Sequence, residues 1–191
     1  ALRERLASEG TASELIPGVK DALRLVDPGA VGESPAFREG LFHVQDLASQ
    51  LCAQALAARP GERVFDLCSA PGSKSFTLAE EMKNTGELWA FDLYEHKIRL
   101  IEEGAKRLGI SNLRARVQDG TEFCPGLGQA DRVLCDVPCS GLGVIRRKPE
   151  IKDKNPADFE ALPELQYRLL CNAARYVRPG GILVYSTCTT N

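Results

Sequence analysis

The stretch RVFDLCSAPGSK, residues 63–74, decides the fold of this chain. Its first seven residues predict a buried strand, and residues 74–83 predict a short helix that ends at AsnThrGly. Gly72 falls in the tight turn between the two, where backbone amides at a helix amino end can hold an anionic or polar group. The stretch therefore predicts a strand, a ligand-binding turn and a helix in succession.

The same alternation of strand and helix continues along the chain. Four further apolar runs predict strands: ELWAFDL, LRARVQD, DRVLCDV and ILVYSTC. Three further segments have helical spacing: one with Val44, Leu47, Ala48, Leu51 and Ala55 on one face, one over residues 94–108 with Ile98, Ile101, Ala105 and Leu108, and one with Leu165, Leu169, Ala173 and Tyr176. Strands and helices alternating at this spacing predict an α/β fold with a doubly wound, Rossmann-like parallel sheet.

Residues 1–40 have a different pattern. LRERLASEG resembles the end of a helix, DALRLV predicts one strand, and the remainder is rich in turn residues. That is too little for an independent domain. We therefore predict the remnant of a small N-terminal α/β module at residues 1–40 and a catalytic domain at residues 41–191.

Composition and charge limit the possible classes. The chain has 191 residues, 43% of them hydrophobic and 26% charged, enough for one sizeable core. No apolar run approaches the roughly 20 residues of a membrane helix, and residues 1–30 lack the pattern of a secretory signal, which predicts a cytoplasmic setting. The net charge of −2 gives no global attraction to nucleic acid. The basic segment IRRKPEIKDK, residues 145–154, is compatible with a solvated loop or with phosphate contacts.

The seven cysteines show neither a CxxC pair nor enough histidine partners for a zinc site. A disulfide framework is not expected in a reducing compartment, so most of the thiols are predicted to be core residues, Cys52, Cys135 and Cys171 among them. Cys139 and Cys188 differ because each follows a predicted strand, 49 positions apart. Both can face the ligand crevice at the carboxyl ends of the strands, which suggests nucleophilic sulfur.

Acidic residues after the strands indicate the ligand. Asp92 lies 26 positions after Asp66, close to the spacing at which a carboxylate meets ribose hydroxyls in dinucleotide folds. The GxGxxG loop of nicotinamide enzymes and the first glycine of a P-loop are both missing, so we predict a nucleoside without a polyphosphate, best matched by S-adenosylmethionine. Asp119 and Asp136 follow the next strands and support this reading, although each aspartate is equally compatible with a cap or turn.

The residues around Cys139 suit methylation of a pyrimidine carbon. Carbon 5 of a pyrimidine is a poor nucleophile until a thiolate adds at carbon 6. An acid must then stabilise charge at ring nitrogen 3, and Asp136 could serve if desolvation raises its pKa enough to keep it protonated. The carbon 5 proton must leave after methyl transfer and the enzyme must be released, and a second group near the base would help with these steps. The residues alone do not say which cysteine attacks.

Several segments together resemble one known family. DLCSAPGSK, DVPCSGLGVIRRKPEIK and PGGILVYSTCT are similar to motifs of the RNA 5-methylcytosine methyltransferases of the Sun/RsmB type, which modify ribosomal RNA. The similarity covers residues 37–191. It implies that Cys188 is the nucleophile and that Cys139 assists product release. It also implies an S-adenosylmethionine site, with Asp92 on the ribose, Asp119 near the adenine, Asp136 between cofactor and target base, and a cofactor loop made of Cys68, Ser69, Ala70, Pro71, Gly72, Ser73 and Lys74. By the same resemblance Arg146 and Arg147 face the RNA.

The chain also departs from the family pattern. Ser69 and Ser73 stand where the family often has alanine and glycine. The sequence stops at Asn191, whereas family members continue through a helix and two strands and often carry an N-terminal RNA-binding domain. A fragment with an open sheet edge and a frayed Cys188 is therefore expected. Three alternatives stay open: a transfer RNA cytosine methyltransferase, a nucleotide-binding oxidoreductase, and a catalytically idle module that binds cofactor or RNA.

Overall fold

The structure is a computed structural model that describes residues 1–145, 149–153, 155 and 159–189. Its strands are β1 (Ala12–Leu15), β2 (Leu23–Val26), β3 (Arg63–Asp66), β4 (Glu87–Asp92), β5 (Leu113–Val117), β6 (Ala130–Asp136) and β7 (Val177–Ser186). Its α-helices are α1 (Leu2–Ser8), α2 (Pro35–Arg38), α3 (Leu47–Ala55), α4 (Ser73–Glu81), α5 (Glu95–Arg107) and α6 (Leu162–Tyr176). Short 3-10 helices occupy Val31–Glu33, Pro125–Leu127, Leu142–Val144 and Pro149–Asp153.

Strands β3 to β7 form the predicted parallel sheet, in the order β5-β4-β3-β6-β7. The chain starts in the middle with β3, builds β4 and β5 on one side, and then crosses to build β6 and β7 on the other. Such a change of direction leaves a crevice at the carboxyl ends of the central strands, where ligands bind in open α/β sheets. Asp136 of β6 lies opposite Ser186 of β7 in this register.

Apolar side chains cover both faces of the sheet, as its continuous apolar strands require. Phe65 and Phe91 on one face pack with Leu169, Ala173 and Tyr176 of α6. The other face is covered by α3, α4 and α5, whose contacts with the sheet form two clusters: Ala53, Leu56, Leu78 and Met82 with Val64 and Leu88, and Phe76, Ile98, Ile101 and Ala105 with Ala90. The doubly wound architecture is thus confirmed.

The first helix of this domain differs from its prediction. It begins at Leu47 after the N-cap Asp46, so that Val44 lies outside it and is 61% exposed. Leu47 and Leu51 of the predicted apolar face are also exposed, whereas Ala53 is buried against α4. The side of the helix that packs against α4 thus carries Ala53 and is followed by Leu56, whereas Leu47 and Leu51 lie on the other side.

Residues 1–40 form more structure than predicted. The expected strand is present as β2, and it pairs antiparallel with β1, whose sequence ASEL carries no β-branched or aromatic residue to signal a strand. The segment after this hairpin contacts α5. Arg107 Nη1 donates hydrogen bonds to the carbonyl oxygens of Phe37 at 2.6 Å and Phe42 at 3.0 Å, and its guanidinium lies over the Phe37 ring. The division of the chain near residue 40 stays a prediction.

The cysteines predicted to lie in the core fall into three environments. Cys135 is fully buried, and Cys52 is half-buried. Cys171 is exposed, so its prediction was wrong. Helix α6 buries the face that carries Leu169 and Ala173, and Cys171 lies between these two positions on the opposite side.

None of the helices in the part of the chain that the structure describes combines the length and the apolar composition needed to span a bilayer.

Candidate active site

Most of the predicted site residues line one open cleft of about 2600 Å³ at the carboxyl ends of the strands. The cleft is bounded by the loops after β3, β4, β5, β6 and β7 and by residues of the N-terminal hairpin. The predicted residues that line it are Cys68, Ala70, Pro71, Ser73, Lys74, Asp92, Asp119, Asp136, Cys139 and Cys188. Ser69 and Gly72 are buried beneath the cleft instead. The sequence therefore predicted a set of residues that the fold does bring together.

Gly72 is required by the shape of the turn between β3 and α4. Its φ is 105°, a conformation that side chains rarely adopt, and a Cβ there would lie 2.6 Å from Cζ of Phe76. The turn is closed by hydrogen bonds from Gly72 N to the Ser69 carbonyl at 2.7 Å and from Ser69 Oγ to the Asp66 carbonyl. Ser69 thus stabilises the turn from its buried side, and the adjacent residues Cys68 and Ala70 line the cleft.

Asp92 and Asp119 present carboxylates to the cofactor side of the cleft. Asp92 Oδ2 accepts a hydrogen bond from Ala70 N at 3.3 Å, which links the end of β4 to the turn. Asp119 Oδ1 accepts hydrogen bonds from Thr121 N and Thr121 Oγ1. Each carboxylate thus also has the turn-forming role that the sequence left open. Asp92 Oδ1 also accepts from Lys97 Nζ at 3.3 Å and from Tyr94 N at 3.4 Å. Because a carboxylate has about four acceptor sites, each keeps at least one for a hydroxyl or amino donor of a nucleoside. These acceptors fit S-adenosylmethionine.

Lys74 and Asp136 form an ion pair in the middle of the cleft. Lys74 Nζ lies 2.6 Å from Asp136 Oδ2, and Ser186 Oγ donates to Asp136 Oδ1 at 2.6 Å. Both side chains are partly shielded from water. Both carboxylate oxygens of Asp136 therefore have a donor in the structure. The sequence does not show that Lys74 reaches Asp136, and the predicted role of Asp136 as an acid stays a prediction.

Cys139 and Cys188 meet at the same end of the sheet. Their Cα atoms are 6.3 Å apart, and the structure joins their sulfur atoms in a disulfide. The sequence predicts the shared crevice but not this bond. Cys139 follows β6 and Cys188 follows β7, and these strands are hydrogen-bonded neighbours, which is why two residues so distant in sequence come together.

The other three thiols near the site are poor candidates for attack. Burial raises the pKa of Cys68 far above its ordinary value, and it raises the pKa of Cys135 to about 12. Burial also raises the pKa of Cys52, which lies beside Ser186. A nucleophilic cysteine must ionise near neutral pH. Among the thiols at this edge of the sheet, Cys139 and Cys188 are therefore the ones suited to chemistry.

A comparison with known protein families identifies the family of this chain. Residues 53–191 match the model of the family described as 16S rRNA methyltransferase RsmB/F. The chain belongs to the RsmB/F family. This membership confirms the predicted resemblance and the methyltransferase fold, and it indicates S-adenosylmethionine as the cofactor of the family. It also argues against the oxidoreductase alternative.

Individual RsmB/F relatives agree with this result. The chain is 42% identical over 191 residues to the probable ribosomal RNA small subunit methyltransferase B of Bacillus subtilis, covering 98% of this chain and 42% of that protein. It is 39% identical over 178 residues to the ribosomal RNA small subunit methyltransferase B of Klebsiella pneumoniae strain 342, covering 91% of this chain and 40% of that protein. The chain thus spans about two fifths of the length of these relatives.

Solved structures show the same architecture. The crystal structure of PH0851 superposes with a TM-score of 0.92 at 36% identity, covering 98% of this chain and 43% of that one. The structure of NSun6 from Pyrococcus horikoshii with SFG superposes with a TM-score of 0.78 at 32% identity, covering 89% of this chain and 45% of that one.

One predicted part of the RsmB/F site lies outside the residues that the structure describes. Arg146 and Arg147, predicted to face the RNA, lie outside the described residues, and their role stays a prediction. Among the residues that are described, no group of three or more histidine, cysteine, aspartate or glutamate side chains could hold a metal ion.

The sequence did not identify Asp66 as a perturbed group. Asp66 ends β3 beneath the cleft, is fully buried, and accepts a hydrogen bond from Ser75 Oγ at 2.6 Å through Oδ2. Its Oδ1 has no hydrogen-bond partner among the described residues. Burial raises the pKa of Asp66 to about 7. The apolar neighbours Val64, Phe65 and Leu67 were a signal that Asp66 is enclosed.

Replacing Asp66 with asparagine is expected to make the protein more stable at neutral pH. The unfolded chain releases this proton near pH 3.8, whereas the folded protein keeps it until about pH 7. The unfolded state thus binds fewer protons between these values, and the free energy of unfolding falls as pH rises through that window. Three pKa units correspond to up to about 4 kcal/mol, which asparagine avoids because it does not ionise.

Urea unfolding of the unchanged protein and of Asp66→Asn at pH 4, 5.5 and 7 measures this difference. The two are expected to be similar at pH 4 and to diverge in favour of the variant by pH 7. Glu102→Gln, at an exposed position of α5, serves as the control for loss of a carboxylate. Parallel pH curves for Asp66→Asn and the unchanged protein would show that Asp66 keeps an ordinary pKa.

Proposed function

We propose that this protein transfers a methyl group from S-adenosylmethionine to carbon 5 of a cytosine in small-subunit ribosomal RNA, through a covalent adduct between Cys188 and carbon 6. The observation that carries the proposal is the meeting of Cys139 and Cys188 in one cleft with the Lys74–Asp136 pair and the Gly72 turn. The names of the relatives support ribosomal RNA as the substrate class.

The reaction requires both cysteines in the reduced form. A thiol reductant opens the disulfide, and the Cys188 thiolate then adds to carbon 6, which places an electron pair on carbon 5. Bound S-adenosylmethionine supplies a methyl group on a sulfonium sulfur, and carbon 5 takes that methyl group as the carbon–sulfur bond of the donor breaks. Loss of the carbon 5 proton then lets the Cys188 sulfur leave carbon 6, which restores the aromatic ring.

In this proposal Lys74 and Asp136 stabilise the negative charge that develops on the pyrimidine ring. Addition at carbon 6 increases electron density at nitrogen 3, which must be protonated or hydrogen-bonded. Lys74 Nζ donates a hydrogen bond to Asp136 Oδ2 at 2.6 Å, so this pair can present an N–H donor to nitrogen 3. Ser186 holds the other carboxylate oxygen and so fixes its direction. In this proposal Lys74 joins Asp136, the one acid expected from the sequence, in stabilising the charge at nitrogen 3.

Cys139 is assigned to the second half of the reaction. Its Cα lies 6.3 Å from that of Cys188, so both sulfurs can reach the same pyrimidine. A thiolate at this position can remove the carbon 5 proton after methylation, and its own proton then returns to solvent. We therefore propose that Cys188 makes the adduct and Cys139 helps to resolve it.

The size of the cleft supports a macromolecular substrate. Its volume of about 2600 Å³ exceeds the roughly 300–1000 Å³ of ordinary small-molecule pockets. A target base held in this cleft would be turned out of its stack and held by contacts to its edges and backbone. We propose that the hairpin of residues 1–40 forms one wall of the RNA path, that residues 41–191 form the catalytic domain, and that the reaction takes place in the cytoplasm.

Bisulfite mapping of ribosomal and transfer RNA from cells with and without the gene tests this function. The expected result is one cytosine of small-subunit ribosomal RNA that is protected in normal cells and converted in cells without the gene. Loss of protection in transfer RNA alone would transfer the assignment to the transfer RNA alternative. Identical maps from both cells would contradict the proposal and favour an idle binding module.

A further inference from the structure

Gly143 lies against the main chain of Cys188. It belongs to the one-turn 3-10 helix Leu142–Val144, which follows Cys139. A Cβ atom at Gly143 would lie 1.8 Å from the carbonyl oxygen of Cys188 and 3.0 Å from its carbonyl carbon. Both are backbone atoms, which cannot rotate aside as the tip of a side chain can. Only glycine therefore fits at this contact.

Backbone conformation does not explain this glycine. Gly143 is not among the glycines with positive φ, so its conformation is open to any residue. Gly141, two residues earlier, has a φ of 80°, a backbone conformation that favours glycine. The reason for glycine at position 143 is the close approach of Cys188.

The loop that carries Gly143 is also held on its other side. Gln166 Nε2 on α6 donates a hydrogen bond to the Pro138 carbonyl at 2.8 Å, just before Cys139. The side chain of Ile151 is buried and lies next to Gly141. The contacts with Gln166 and Ile151 hold the loop in place, and the main chain of Cys188 packs against this loop at Gly143.

We propose that Gly143 is a positioning residue that sets where the Cys188 sulfur lies relative to Cys139 and the target base. The effect on methyl transfer rests on the proposed function, whereas the effect on the distance between the two sulfurs does not. An alanine at position 143 would require the Cys188 carbonyl oxygen to move by about 1.2 Å to reach the 3.0 Å that real Cβ contacts need. A displacement of about 1 Å of a reacting group can reduce a rate by roughly 100-fold.

The test compares Gly143→Ala with Gly126→Ala in the full-length protein. Gly126 is a suitable control because it also has no positive φ and a Cβ there would meet no atom within 4 Å. One measurement is the fraction of Cys139–Cys188 disulfide, by peptide mass mapping, in a glutathione buffer that half-oxidises the unchanged protein. In that exchange two protein thiols become a disulfide and one glutathione disulfide becomes two glutathione thiols. The other measurement is methyl transfer to small-subunit ribosomal RNA.

Gly143→Ala is expected to lose most of the disulfide and to lower kcat by about 100-fold, with KM for S-adenosylmethionine unchanged. Gly126→Ala is expected to change neither quantity. An unchanged disulfide fraction in Gly143→Ala overturns the positioning role whatever the rate does. A reduced disulfide fraction with an unchanged kcat confirms the contact but contradicts the proposed role of Cys188 as nucleophile.

A second variant keeps the test decisive if Gly143→Ala does not fold. Gln166→Ala removes the hydrogen bond to the Pro138 carbonyl at a partly exposed position outside the buried core. It should loosen the same loop and lower both the disulfide fraction and kcat. Values equal to those of the unchanged protein would overturn the proposal.

Discussion

Cys188→Ser is expected to abolish methyl transfer, lowering the rate by about 10⁴-fold or more, which is the range seen when a catalytic nucleophile is removed. A serine hydroxyl ionises far less readily than a thiol, so it cannot add to carbon 6 at neutral pH. Transfer of labelled methyl groups to small-subunit ribosomal RNA measures the loss. The variant should also form no denaturation-resistant complex with RNA.

Cys139→Ser is expected to have the opposite effect on the adduct. Cys188 still attacks and the methyl group is still transferred, but removal of the carbon 5 proton is slow, so the protein remains bonded to the RNA. A protein–RNA band that persists in a denaturing gel measures this accumulation. Cys171→Ser is the matched control because Cys171 is an exposed thiol on α6, outside the cleft. Equal trapping by Cys139→Ser and Cys188→Ser would contradict the division of roles.

Asp136→Asn is expected to lower kcat by about 10²-fold to 10⁴-fold, the usual contribution of a positioned acid or base. The amide carries no charge and cannot give or take a proton at neutral pH, so the Lys74 ammonium group loses its anionic partner at 2.6 Å. Single-turnover methyl transfer measures the chemical step, and calorimetric titration with S-adenosylmethionine shows whether the cofactor still binds. Because Asp136 is also assigned to the boundary of the cofactor site, a modest loss of cofactor affinity is expected as well.

Ser186→Ala is the matched control for Asp136→Asn. It removes the hydrogen bond to Asp136 Oδ1 and leaves the contact with Lys74 intact. Loss of one such bond corresponds to about 1 kcal/mol or somewhat more, which is roughly a tenfold effect on the rate. Nearly full activity of Asp136→Asn would contradict the role of the ion pair.

The sequence predicted those parts of the site that depend on strand ends. Asp92 and Asp136 each end a strand, and Cys139 and Cys188 each follow one, so the parallel sheet alone brings them to one edge. The turn at Gly72 was predicted for the same reason. Apolar runs for the strands and helical spacing for the helices determine these positions locally, and the order of the strands then determines which of them are neighbours.

The contacts that the sequence missed are those between distant side chains. Lys74 reaches Asp136 across 62 positions, and neither residue carries a local signal of the other. The exposure of Cys171 and the buried side of α3 depend on which neighbouring element covers each helix, which spacing does not define. The contact of Gly143 with Cys188 is a further example, since it depends on the separation of two loops.

The most direct test of cysteine-mediated methylation identifies the sulfur that bonds to RNA. The full-length reduced protein is incubated with S-adenosylmethionine and an RNA that carries 5-fluorocytidine at the cytosine found by bisulfite mapping. The fluorine at carbon 5 cannot be removed by a base as a hydrogen can, so the adduct persists. Nuclease and protease digestion then leave a single nucleotide on a peptide. We predict that mass spectrometry finds this nucleotide on Cys188. A nucleotide on Cys139, or no adduct while methylation of ordinary RNA proceeds, would contradict the proposed mechanism.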